Sequence, residues 1–127
     1  MRISKNDSRS KALIAAKAAS AKKADEIVIL EVGPLINITD YFVICSGNTE
    51  RQVKTIADEV FKQLADNGAK PYRKEGETEA RWVLLDYLDL VVHIFHSEER
   101  DYYRIERLWA DAESVPFEED SLAAPGR

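Results

Sequence analysis

The chain has 127 residues, with 18 lysines and arginines against 23 aspartates and glutamates, for a formal net charge of −5. That length suits one compact domain, and 45% hydrophobic with 32% charged residues excludes collagen-like, wholly disordered and disulfide-scaffold classes. A single cysteine, Cys45, no apolar run near the roughly 20 residues of a membrane span, and an alanine-rich start interrupted by lysines predict a cytoplasmic protein.

Residues 1–23 carry seven bases and one acid, a balance of +6, whereas the rest carries 11 bases and 22 acids, or −11. Residues 1–9 are polar and are expected to be flexible. From Ser10 to Ala24 alanine, leucine and isoleucine dominate without glycine or proline, which predicts a first helix. Its lysines are dispersed among the alanines, favouring a solvated helix face over a basic arm. Ile27–Val32 is β-branched and stops at Gly33-Pro34, and Tyr41–Ser46 is a second short apolar run. Apolar residues point both ways along both runs, as in strands covered on both faces.

Between Thr49 and Gly68, Val53, Ile56, Ala57, Val60, Phe61, Leu64 and Ala65 draw one helical stripe. Thr49 and Gln52 form a capping-box pair, and Gly68 stands at the left-handed stop. Lys70–Lys74 reads as an irregular edge strand because of Pro71. Arg81–Tyr87 and Leu90–Phe95 read as an antiparallel hairpin joined by Leu88 and Asp89. Ser97 is placed to cap a last helix with Tyr102, Ile105, Leu108, Trp109 and Ala112 on its apolar side. Glu113–Arg127 is rich in proline, serine and acids and reads as a disordered acidic tail. The domain proper is thus 10–112: one α/β unit with a mixed sheet flanked by helices.

Few residues invite chemistry. His93 and His96 are three apart in a strand, so their rings point to opposite faces and cannot share a metal. Cys45, mid-strand between apolar neighbours, has nothing to lower its pKa. Asp86 and Asp89 bracket the hairpin turn, where aspartates more often cap amides than catalyse. Ser46-Gly47-Asn48 leads from a strand into a capped helix, an arrangement resembling nucleotidyltransferases. The strand after that helix lacks the paired carboxylates that would hold magnesium. A nucleotidyltransferase using Ser46-Gly47 and Asp86 with magnesium is kept as the alternative; no cofactor and no metal is expected.

Between Glu75 and Asp89 lie five acids, Glu75, Glu77, Glu79, Asp86 and Asp89, with Arg81 the one base. Alternation puts Trp82, Leu84 and Asp86 on one strand face and Val83, Leu85 and Tyr87 on the other. An aromatic among acids suits a hot spot for a basic partner, although core is an equal reading of Trp82 on composition alone. The expected partner-binding residues are Glu75, Glu77, Trp82, Leu84, Asp86 and Asp89.

Over roughly Ala12 to Trp109 the chain resembles the ribosomal silencing factor (Iojap-related) family. The resemblance is carried by Ile38-Thr39-Asp40, Tyr41-Phe42-Val43-Ile44-Cys45-Ser46-Gly47, Arg51-Gln52-Val53 and Glu75-Gly76. Trp82-Val83-Leu84-Leu85-Asp86, Asp89-Leu90-Val91-Val92-His93 and Leu108-Trp109 complete the ordered set. It implies a nucleotidyltransferase-like fold without the catalytic carboxylates. It also implies a non-enzymatic homodimer that binds the large ribosomal subunit through ribosomal protein L-fourteen. Such a protein blocks joining of the small subunit and lowers translation when nutrients are short. The negative charge adds an expectation of little direct rRNA contact.

Overall fold

The computed structural model describes residues 5–117; of the flexible start expected over 1–9 and the acidic tail over 113–127, positions 1–4 and 118–127 lie outside it. Helix α1 (Lys5–Ala21) is followed by β1 (Asp25–Glu31), β2 (Tyr41–Gly47), α2 (Glu50–Asp66), β3 (Arg73–Glu75), β4 (Trp82–Asp86) and β5 (Leu90–His96). Then come α3 (Ser97–Tyr103), a 3-10 turn (Ile105–Arg107) and β6 (Glu113–Ser114). The six strands form one sheet in the order β3-β4-β5-β2-β1-β6. Among the described residues only β2 and β5 run parallel, so the sheet is mixed, as expected.

One sheet face is covered by both long helices. Val43, Cys45, Val83, Leu85, Val92 and Ile94 meet Val53, Ile56, Val60 and Leu64 there, all without solvent exposure. Helix α1 reaches this layer through Ala12, Ala15, Ala16 and Ala19, each 0% exposed. Small side chains let its backbone come close, and this explains the alanine content better than propensity alone. Helix α2 starts as expected: Thr49 Oγ1 accepts from the Gln52 amide at 3.0 Å. The Gln52 side chain returns to the Asn48 amide at 2.8 Å, one residue before the position of a standard capping box. Gly68 adopts φ +85° after the helix ends.

The opposite face holds a smaller apolar cluster of Leu30, Val32, Ile44, Phe95 and Ile105 with Phe42, Trp82 and Trp109 around it. Its cover is the segment after β5, and here three expectations are corrected. The last helix does not run to Ala112: it stops at Arg104, which adopts the left-handed conformation at φ 44° and ψ 52°. That backbone costs a non-glycine residue roughly 1–2 kcal/mol. The Arg104 guanidinium offsets it by pairing with Asp101 at 2.7 Å, Glu106 at 3.4 Å and Glu26 at 3.6 Å. The kink turns Ile105 into the apolar cluster and leaves Tyr102 and Leu108 exposed.

The second correction concerns the tail: Glu113 and Ser114 pair with Glu31 and Leu30 as β6, and Val115 is buried. The unpaired edge of β1 supplies hydrogen-bonding groups that a two-residue strand can satisfy. The third concerns the start. Helix α1 begins at Lys5, within the segment expected to be flexible. Ser8 Oγ donates to Asp40 at 2.8 Å and Lys11 Nζ pairs with Asp89 at 3.0 Å, tying the first turns to the sheet.

Candidate functional site

The hairpin of β4 and β5 is antiparallel, but its link is Tyr87 to Asp89 rather than two residues. The Asp86 carboxylate accepts from the Leu88 amide at 2.9 Å, which holds Leu88 at φ 73° without asparagine or glycine. Along β4 the side chains alternate as expected: Val83 and Leu85 are buried under the helices, while Trp82, Leu84 and Asp86 are half-buried on the opposite face.

Trp82 is held on several sides. Its ring lies 4.7 Å from Phe95 and 5.1 Å from Tyr103 between centroids. Its Nε1 donates to His93 Nδ1 at 3.2 Å, which fixes the buried imidazole beneath it. Burial pushes the His93 pKa down to about 4, with the Asp86 charge acting weakly the other way. The ring is therefore neutral near pH 7, with its proton on Nε2. Trp82 is therefore neither wholly core nor wholly exposed: its neighbours hold part of the indole, and part of it meets solvent.

Beside it, β3 sets Glu75 across from Leu84. Gly76 then turns at φ 83°, and a Cβ there would stand 2.0 Å from the Trp82 carbonyl oxygen. Only glycine lets the 76–80 loop lie this close to β4. The result is a shallow depression of about 330 Å³ lined by Glu75, Gly76, Trp82 and Leu84.

Three of the six expected residues, Glu75, Trp82 and Leu84, are thus brought together. Glu77 stands near the depression paired with Lys74 at 3.4 Å, and Asp86 is paired with Arg73 at 3.4 Å. Asp89 is not on this face at all; it binds Lys11 and Ser8 of α1. Arg73 and Lys74, just ahead of the acidic stretch, therefore neutralise part of it. A larger excess of negative charge lies at the other end of β4. There Arg81 alone receives Glu50, Glu98 and Glu99, each at 2.8 Å. The hydrogen bonds to Arg81 hold the Glu50 and Glu98 carboxyls below their usual pKa. Sequence pattern does not reveal this cluster, because its members come from α2, α3 and the β4 margin.

The other candidates separate. His93 lies under Trp82, while His96 Nδ1 accepts from the Glu98 amide at 3.1 Å and caps α3 in place of Ser97. His96, Glu98 and Glu99 have ligand atoms within 4.8 Å of one another, but Arg81 already supplies the cation there. Cys45 is fully buried and its thiol is pushed up to about 12 by that burial. At the Ser46-Gly47-Asn48 turn, the Asn48 amide is taken by Gln52, whose side chain also packs against Gly47. Ser46 pairs with Phe95 and Asp86 with Val91, four steps apart along β5, or roughly 13 Å at strand rise. The nucleotidyltransferase alternative fails on that separation: Asp86 and the Ser46-Gly47 turn cannot share one magnesium-bound phosphate.

The family described as ribosomal silencing factor during starvation matches residues 5–126. A ribosomal silencing factor of Bacillus subtilis strain 168 is 48% identical over 99 residues, 78% of this chain and 84% of the relative. One from Halalkalibacterium halodurans is 46% identical over 105 residues, 83% of this chain and 90% of the relative. A crystal structure of a Bacillus halodurans protein shares the fold at TM-score 0.76 and 40% identity, covering 86% of this chain and 99% of that one.

Proposed function

Because the chain belongs to the ribosomal silencing factor family, whose members are named as regulators and not as enzymes, we propose that it represses translation by steric occlusion. It docks on the large ribosomal subunit through ribosomal protein L-fourteen and keeps the small subunit from joining when nutrients are short. Off the ribosome it is a homodimer. No bond is made or broken; occupancy of the joining surface is the whole mechanism.

The observation that best supports this reading is the Trp82 face. Trp82 is half-buried and held by Phe95, Tyr103 and His93, so it is rigid, and its exposed part costs little entropy to bury. Leu84 extends the apolar centre and Glu75 stands at its rim, exposed. A protein of net charge −5 is repelled by bare rRNA. It is attracted to a basic ribosomal protein, and acids around an apolar anchor steer such an encounter.

Reversing Glu75 and Glu77 together to lysine is expected to weaken binding to purified large subunits about tenfold at low salt. The difference should shrink as salt rises, since rim charges are screened. Both carboxylates make only exposed or half-exposed pairs, so the urea midpoint is expected to move little. Affinity equal to the parent's at low salt would remove the acidic loop from the docking surface.

A further inference from the structure

Exposed aromatic side chains need a reason, and this chain places two beside its proposed anchor. The rings of Phe95, Trp82, Tyr103 and Tyr102 form a continuous ladder with centroid spacings of 4.7, 5.1 and 4.9 Å. Exposure rises along it: Phe95 is 0% exposed, Trp82 half-buried, Tyr103 48% and Tyr102 80%. The ladder runs from the core to solvent. The fold does not need its outer end, because the ring contact of Tyr102 is Tyr103, edge to face at 89°.

Helix α3 ends at the left-handed Arg104; Ile105 just beyond that stop is buried, whereas Tyr102 and Tyr103 just before it are exposed. Charge at this end is also distinctive. Glu50, Glu98 and Glu99 share the single cation of Arg81, and Glu98 and Glu99 belong to the same helix as the tyrosines. Two negative charges therefore stand in excess at the base of the ladder. Tyrosine faces attract lysine and arginine, and nearby uncompensated carboxylates strengthen that preference.

We propose that Tyr102 and Tyr103 are the outer half of the docking surface and receive cationic side chains of a basic protein partner on their ring faces. This rests on the large-subunit docking argued above and extends it from the hairpin to α3. The surface is then composite: the β3–β4 depression contributes Glu75 and Leu84, Trp82 is the shared centre, and α3 contributes the two tyrosines. Acids flank it at both ends.

The test is a titration of purified large subunits by co-sedimentation, with the full chain as wild type, Tyr102→Ala, Tyr102→Phe and Trp82→Ala. Tyr102→Ala is expected to raise the Kd about tenfold, with an unchanged urea midpoint because the ring is exposed. Tyr102→Phe keeps the ring face and is expected to bind within twofold of wild type. A Tyr102→Ala Kd within twofold of wild type, alongside lost binding by Trp82→Ala, overturns the inference while leaving the docking reading intact. Wild-type protein that fails to sediment with large subunits overturns the docking reading itself. Sedimentation equilibrium adds a further arm. Loss of self-association by Tyr102→Ala with subunit binding retained would assign the ladder to a second copy of this chain and overturn the inference.

Discussion

Replacing Trp82 by alanine is expected to cost about 3 kcal/mol of fold stability and to weaken large-subunit binding roughly 30-fold or more. The stability cost combines two losses. The indole leaves a gap against Phe95 and Tyr103, and full truncation of a buried tryptophan costs roughly 3–5 kcal/mol, less here because Trp82 is half-buried. The second loss is the His93 partner, since a buried acceptor left unpaired costs roughly 1–3 kcal/mol. The binding cost follows from the exposed part of the ring, as an anchor at an interface centre commonly carries about 2 kcal/mol or more. Urea unfolding separates the two effects, with binding measured at a temperature where the variant is folded. Trp82→Phe is the comparator: it keeps an aromatic face, loses the indole N–H, and is expected to fall between. A folded Trp82→Ala protein that binds with parental affinity would remove this residue from the docking surface.

Acid sensitivity is the second large effect. His93 has a folded pKa of about 4 because burial disfavours its charged form, against about 6.5 for the unfolded chain. A depressed histidine pKa means that the unfolded state binds the proton first. The stabilisation held by the neutral ring is therefore fully present above pH 6.5 and is lost as pH falls from 6.5 through 4. Between pH 7 and 4.5 the loss is expected to be roughly 2.5 kcal/mol. Above about pH 5.5 Glu50, Glu98 and Glu106 are ionised folded and unfolded and contribute little slope; nearer pH 4.5 their lowered folded pKa values add a smaller loss of the same sign, which His93→Gln retains. His93→Gln keeps an acceptor for the Trp82 indole and has no proton to gain, so most of the slope should vanish. Urea midpoints across that range give the comparison. Equal pH slopes for the two proteins would mean that His93 titrates as freely folded as unfolded.

The elements that sequence pattern makes legible are those whose reasons are local. Val53, Ile56, Ala57, Val60 and Leu64 recur at helical spacing and are buried. The alternation from Trp82 to Tyr87 assigns the two faces of β4, and of the two apolar runs read as strands covered on both sides, β2 is so covered while β1 is buried only toward its end at Ile29 and Leu30. What is not legible depends on partners distant in the chain. Asp89 looks like a turn residue, yet Lys11, 78 positions earlier, claims it. Arg104 carries no helix-stop signal; its left-handed backbone is held by ion pairs that include Glu26 from β1. Arg100 gives no hint of being buried to 2% exposure, because its partners are the Glu106 carboxylate and the Glu26 carbonyl. Glu113 and Ser114 pair only because β1 leaves an edge free.

The same division holds for the site. Glu75, Trp82 and Leu84 are near one another in the chain and converge as their pattern suggests. Glu50, Glu98 and Glu99 meet at Arg81 from separate elements, so counting acids along the chain misses the densest negative charge. Net charge alone argues against RNA as a partner. Its placement, around an aromatic ladder, argues for a basic protein.

Occlusion of the joining surface is read out by subunit joining itself. Purified large subunits are incubated with increasing amounts of this protein, small subunits are added, and light scattering or a sucrose gradient follows formation of the joined ribosome. The joined fraction is predicted to fall as the protein saturates large subunits, with the protein sedimenting on the large subunit only, and Trp82→Ala is predicted to need far higher concentrations. Undiminished joining at saturating protein, or protein found on the small subunit, would rule out steric occlusion.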